Sequence, residues 1–230
     1  MRRRRRSNRR RIWYAVVILI ALALVTVAAF LVFQSRKPEP IILYVNQGNG
    51  VVNGSNFANM IGFASSRGFN TIFFQVYRQG VTLFSNAELA TFVNDSHSRG
   101  VRIFFALYIT NSSQSIPTSI LNLGEDGVSL DMSSLGLTSQ EQLLAMLEAS
   151  YRGVTAVTTT DMQSPLKPDL LILETYYPTT QQYIKHGIVA SVGVFATSSE
   201  QDYKSQFQYA LQNSDGVMVF DYAGLLKRGY

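Results

Sequence analysis

The chain has 230 residues, with 20 Lys and Arg against 15 Asp and Glu, two histidines and no cysteine. The absence of cysteine rules out a disulfide framework and a thiol nucleophile, and the length is ample for a core built by burial alone. The net charge of +5 misleads as a guide to partners. Ten basic residues precede residue 38 and all fifteen acids follow it, so residues 38–230 carry a net −5 and are not built for nucleic acid.

The chain opens with Arg2–Arg6 and Arg9–Arg11, eight charges with no aromatic residue between them on which a base could stack. An uncharged run of 22 residues follows, 12–33, long enough as a helix to cross a hydrocarbon core of roughly 30 Å. Trp13 and Tyr14 stand at its head, and Arg36-Lys37-Pro38 closes it. The sequence therefore predicts a cytoplasmic tail (1–11), a transmembrane signal anchor (12–33), a linker (34–40) and an extracytoplasmic domain (41–230), with membrane lipid as one partner and envelope proteins as others. The rival is a cleaved secretory signal, whose apolar stretch is normally about 7–15 residues.

Past Pro40 one pattern recurs: an amphipathic helix, a glycine, then an apolar run. Ser85-x-x-Glu88, Thr138-x-x-Glu141 and Ser198-x-x-Gln201 have the form of capping boxes. Behind them, and from Phe57 earlier, apolar residues recur at helical spacing. Gly68, Gly100, Gly153 and Gly216 stand where helices end, with Gly127 and Gly187 as variants. The runs after glycine are apolar on both faces, as in a parallel sheet covered by helices. Eight strands are predicted: 41–46, 71–77, 101–109, 128–131, 154–160, 170–175, 188–195 and 217–221. The fold class is α/β, a compact or truncated (β/α)8 TIM-type barrel; an open doubly wound sheet is the alternative. No full helix fits between strands five and six, and the last helix is stunted or absent.

Barrel active sites form at the carboxyl ends of the strands. There the sequence places Asn46, Gln75, Tyr77, Arg78 and Tyr108, then Asp131, Asp161, Glu174 with Tyr176, and Asp221 with Tyr222. A carboxylate at a buried strand end costs several kcal/mol unless paired or hydrogen-bonded. Asp131, Glu174, Asp221 and Asp161 are therefore candidate acid, base or nucleophile groups, as glycoside hydrolysis requires. Arg78, Tyr77, Tyr108, Tyr176, Tyr222, Gln75 and Asn46 are candidate substrate ligands. The competing account is that Asp131 or Asp221 merely binds backbone amides or an arginine such as Arg78.

At these residues the chain resembles the glycoside-hydrolase-like (β/α)8 barrels. GFNTIFFQVYRQGVTLF (68–84) is similar to that group's second strand and loop, and SHSRGVRIFFALYIT (96–110) to its third. DGVSLDM (126–132) is similar to its fourth strand and DGVMVFDYAGL (215–225) to its eighth. The resemblance implies a glycosidase-like enzyme acting on a polysaccharide or glycan, which the predicted anchor would make membrane-tethered and extracytoplasmic. The chitinase-like DxxDxDxE pattern is not met: residues 126–133 read DGVSLDMS, with Ser133 where the glutamate would stand. The alternative is a non-catalytic glycan-binding or envelope-scaffold protein with a degenerate barrel.

No cofactor is expected, since no GxSxG, Walker or dinucleotide glycine pattern occurs. No metal is expected either. The two histidines, His97 and His186, fall on a helix and beside a capping glycine, away from the strand ends.

Overall fold

The computed structural model describes residues 18–23, 25–26, 39–47, 52–196 and 199–229. The chain divides into two units, Met1–Pro38 and Glu39–Tyr230. Among the described residues no helix is long and apolar enough to cross a membrane. This corrects the expected single-pass anchor and, with it, the expected location of the C-terminal domain. Of the 12–33 segment, residues 18–23 and 25–26 are helical; its remainder, the arginine tail and residues 34–38 lie outside the described residues.

The described residues from Glu39 onward form a closed barrel. Strands β1 (Ile41–Val45), β2 (Thr71–Arg78), β4 (Arg102–Tyr108), β5 (Gly127–Asp131), β6 (Val154–Thr159), β7 (Leu170–Glu174), β8 (Val189–Gly193) and β9 (Val217–Phe220) pair in parallel in that order. β1 bonds both β2 and β9, which closes the ring of eight parallel strands and leaves no edge among them. That double pairing decides against the open sheet. A two-residue strand, β3 (Val81–Thr82), folds back antiparallel on β2.

Alternation along the strands sorts side chains into two layers. Ile42, Tyr44, Phe73, Phe104, Ala106, Ala156, Ile172, Val189 and Met218 fill the barrel interior, with Phe73 and Phe104 stacked 4.8 Å apart. Gly127 faces Phe104 so closely that a Cβ there would overlap the ring. The opposite faces pack against helices α1 (Phe57–Ser66), α2 (Asn86–Ser98), α3 (Leu137–Ser150) and α4 (Glu200–Asn213). In α1 the buried residues Phe57, Met60, Ile61 and Ala64 follow the i, i+3, i+4, i+7 spacing of a helix lying on a sheet.

Local signals were met unevenly. Ser85 accepts from the Glu88 amide while Glu88 Oε2 accepts from the Ser85 amide at 2.9 Å, the full capping box expected. The third helix instead begins at Leu137 behind Gly136, so Thr138 and Glu141 lie inside its first turns and form no box. α4 is capped one residue later than expected, by Ser199 accepting from the Asp202 amide. Gly68 and Gly100 take the left-handed conformation past α1 and α2. Gly153 does not; its place is fixed by the Tyr151 ring, which a Cβ would overlap.

The helical ring is less complete than expected. Besides the β6–β7 link, β4–β5 and β7–β8 are joined without an α-helix, using 3-10 turns at Thr118–Ile120 and Pro178–Tyr183. Pro117, Pro165, Pro168 and Pro178 fall in these links, and proline disfavours helix in the residue before it and donates no amide. The final helix, α5 (Tyr222–Arg228), has seven residues.

Candidate active site

The site is decided by which face of each strand reaches its carboxyl end. On β5, Gly127, Ser129 and Asp131 share the inward face, and Asp131 stands level with Tyr108 of β4. On β7, Ile172 and Glu174 point inward; on β1, Tyr44 does, and Asn46 follows two residues later. β2 departs from simple alternation. Its register against β4 slips between Gln75 and Tyr77, so that Gln75 pairs with Ala106, Tyr77 with Leu107 and Arg78 with Tyr108. This bulge turns both Gln75 and Arg78 inward and Tyr77 outward. The strand then reverses through Gln79 (φ 50°) and Gly80 (φ 92°), the paired positive φ of a tight hairpin turn. The Gln79 amide is anchored on the Tyr108 carbonyl at 3.1 Å.

These side chains open onto a cavity of about 230 Å³, lined by Asn46, Gln75, Arg78, Tyr108, Asp131, Ser133, Glu174, Tyr176, Phe195 and Phe220. Asp131 is only 6% exposed. Its Oδ2 accepts a hydrogen bond from the Tyr44 hydroxyl at 3.1 Å, and its Oδ1 lies 3.4 Å from the Ser133 hydroxyl. Burial pushes the Asp131 carboxyl up to about 6, against the pull of the Tyr44 and Ser133 donors. Glu174 is pushed up further, to about 7, first by burial and then by the negative charge of Asp131, with Ser133 opposing. The negative charge of Asp131 is thus one of the causes that hold the proton on Glu174. Burial also raises the Tyr44 and Tyr176 phenols well above their usual range, so both remain hydrogen-bond donors throughout the physiological range.

The rim is aromatic. Tyr176 and Phe220 pack 5.7 Å apart inside it, and Phe195, half exposed, stands edge-on to Tyr176 at 5.1 Å. Phe220 also packs 4.9 Å from Tyr44, which connects the rim to the floor of the site.

Seven of the eleven residues predicted for the site line this cavity: Asn46, Gln75, Arg78, Tyr108, Asp131, Glu174 and Tyr176. The other four lie elsewhere. Tyr77 is buried in the outer layer, its hydroxyl on the Ser115 carbonyl at 3.1 Å. Tyr222 is likewise in the outer layer, packed edge-on against Phe63 at 5.1 Å. Asp161 is exposed in the turn after β6, accepting from the Gln163 amide. Asp221 caps α5 by accepting from the Gly224 amide at 3.0 Å; burial raises its carboxyl, and that amide offsets part of the rise. Here the backbone-binding account is the one that holds.

Tyr44, Ser133, Phe195 and Phe220 were missed as site residues, Ser133 standing two residues past Asp131. Tyr44 and Phe220 could have been found by counting back in twos from Asn46 and forward in twos from Met218. Phe195 follows β8 in a 3-10 turn, where no such count applies. The two histidines stay clear of the site: His97 pairs with Asp126 at 2.8 Å and His186 with Asp215 at 2.9 Å, both acids preceding strands.

The fold and site define an α/β protein of the closed (β/α)8 type, with a cleft at the carboxyl ends of its strands. No protein-family model matches the chain, and no curated protein matches it in sequence. Solved glycoside hydrolases share its fold. A mutant O-GlcNAc hydrolase of Thermobaculum terrenum superposes with a TM-score of 0.52 at 8% identity, over 79% of this chain and 54% of that one. A noncanonic maltogenic alpha-amylase of Thermotoga neapolitana gives 0.52 at 10% identity, over 80% of this chain and 67% of that one. This chain thus spans about half the length of the first enzyme. At such identities the likeness is one of fold.

Proposed function

We propose that the protein is a glycoside hydrolase acting on the end of a glycan, with Asp131 and Glu174 as its working pair. The observation that carries this is the geometry of the pair: a buried and a partly buried carboxyl at two strand ends facing one cleft, both raised chiefly by burial, with the Asp131 charge adding to the rise of Glu174. With Asp131 ionised and Glu174 protonated, the pair has the division of labour that glycosidic cleavage needs. Glu174 donates its proton to the glycosidic oxygen as the C1–O bond breaks. Asp131 supplies negative charge to the oxocarbenium-like carbon.

The Asp131 charge that acts on Glu174 supports closely set carboxyls; direct attack takes about 5–5.5 Å, whereas about 6.5–9.5 Å admits a water. On this account Asp131 attacks C1 to form a glycosyl ester. Glu174, now ionised, then takes a proton from the water that hydrolyses it, and configuration is retained. Phe195 offers the sugar an exposed apolar face.

Aryl glycosides of both anomeric configurations, incubated with the full chain, test the proposal. Glu174→Gln and Asp131→Asn are each expected to lower turnover by about 10²–10⁴, and proton NMR of the first product is expected to show retention. Hydrolysis undiminished in both variants would sink the assignment. Inversion would leave the pair but exchange direct attack for water activation.

A further inference from the structure

One charge in the cleft is unmatched. Arg78 lines the same cavity as both carboxyls, yet the ion pairs of the described residues join His97 to Asp126, His186 to Asp215 and Lys204 to Glu200. Neither Asp131 nor Glu174 is held down by a cation. The contact Arg78 does make is with the Tyr108 ring, whose centroid lies 5.7 Å from its guanidinium carbon. The position is nonetheless built. The β2 bulge turns this residue inward, and the Gln79–Gly80 turn with its Tyr108 anchor fixes the backbone next to it. An arginine carries five N–H donors in a planar fork that fits the two oxygens of a carboxylate. The cavity, at about 230 Å³, lies below the about 300–1,000 Å³ of drug-sized sites and suits one ring rather than a chain.

We infer that the sugar taken by this cleft is a uronic acid, its carboxylate on the Arg78 fork and its anomeric carbon between Asp131 and Glu174. This rests on the hydrolase assignment above for the chemistry, but not for the binding. The neutral polar groups of the wall, Asn46 and Gln75, are left for hydroxyls. Arg78 also screens the substrate anion from Asp131, which a cleft holding only carboxyls would repel.

The test compares the full wild-type chain, Arg78→Gln and Arg78→Lys on aryl glucuronides and galacturonides, the matched neutral glucosides and galactosides, and 6-sulfated glycosides. Calorimetric titration with free glucuronate, galacturonate and glucose reads binding apart from turnover. Preference for a uronide over its neutral partner by roughly 10- to 100-fold in kcat/KM is expected. Arg78→Gln should bring that ratio close to one, chiefly through KM, and Arg78→Lys should leave it intermediate because charge remains but the fork is lost. The wild-type titration decides the matter should either variant fail to fold. Uronate binding without any hydrolysis would uphold the ligand and overturn the hydrolase assignment. Preferred cleavage of neutral glycosides would do the reverse. Preference for the sulfated sugar, or binding of neither acid, would overturn the uronate.

Discussion

Replacing Glu174 by glutamine should make the protein more stable at pH 8 and leave it nearly unaltered at pH 4.5. Burial and Asp131 raise the folded-state carboxyl from 4.5 to about 7. Between those values the folded chain holds a proton that the unfolded chain has released, so stability falls as pH rises through the window. Above it the full penalty is present. At 1.36 kcal/mol per unit the shift corresponds to about 3 kcal/mol. Glu174 is only partly buried, so about 2 kcal/mol is the working figure after screening. Glutamine has nearly the same shape and no charge at either pH, and removes that penalty. For a domain of this size about 2 kcal/mol is roughly 4–8 °C in Tm. Thermal unfolding of wild type and variant followed by circular dichroism at pH 4.5, 6 and 8 measures it. The difference should grow with pH. A difference equal at all three values, or a variant less stable at pH 8, would refute the burial-and-repulsion account of Glu174.

The remaining predictions concern the same packing. Tyr44→Phe removes a donor to Asp131, so that carboxyl should rise further and the acid limb of the pH–rate profile should move up, narrowing the bell; an unmoved limb would separate the two groups. Gly127→Ala should destabilise by about 1–3 kcal/mol in urea titration, because its methyl meets the Phe104 ring; Phe104→Leu in the same chain should restore part of the loss. Ser85→Ala breaks the capping box of α2 and should cost about 1 kcal/mol by the same measurement, without altering turnover.

Much of the barrel was legible because long parallel strands buried on both faces write continuous apolar runs such as TIFFQVY. Strand positions came through to within a residue or two, and so did Asp131 and Glu174, which interrupt such runs. What the sequence hid was facing. Asp221 and Tyr222 end an apolar run as convincingly as Glu174 does, but they fall one and two positions past the inward Phe220, where the chain has already turned into a helix cap. Tyr77 was misplaced by the bulge, which no local composition announces. The missing crossover helices were half visible: prolines marked the β6–β7 link, whereas 109–126 contains one proline and enough apolar residues to pass for a covered connection. The 12–33 segment was judged on its uncharged length and its basic and aromatic flanks, and the span it predicted is absent among the described residues.

The β2 bulge has a consequence for how this site could be gained or lost. Val76 is the one residue that the β4 ladder skips, and the bulge absorbs the half-period that this extra residue adds. Were Val76 taken into the ladder as a regular residue, Tyr77 would face the cavity and Arg78 the outer layer, and a phenol would replace the guanidinium at the wall. Deleting Val76 would instead leave Gln75 and Arg78 both inward on a straight strand. The charge of the cleft thus tolerates the loss of this codon, and depends on the bulge only while the extra residue is present.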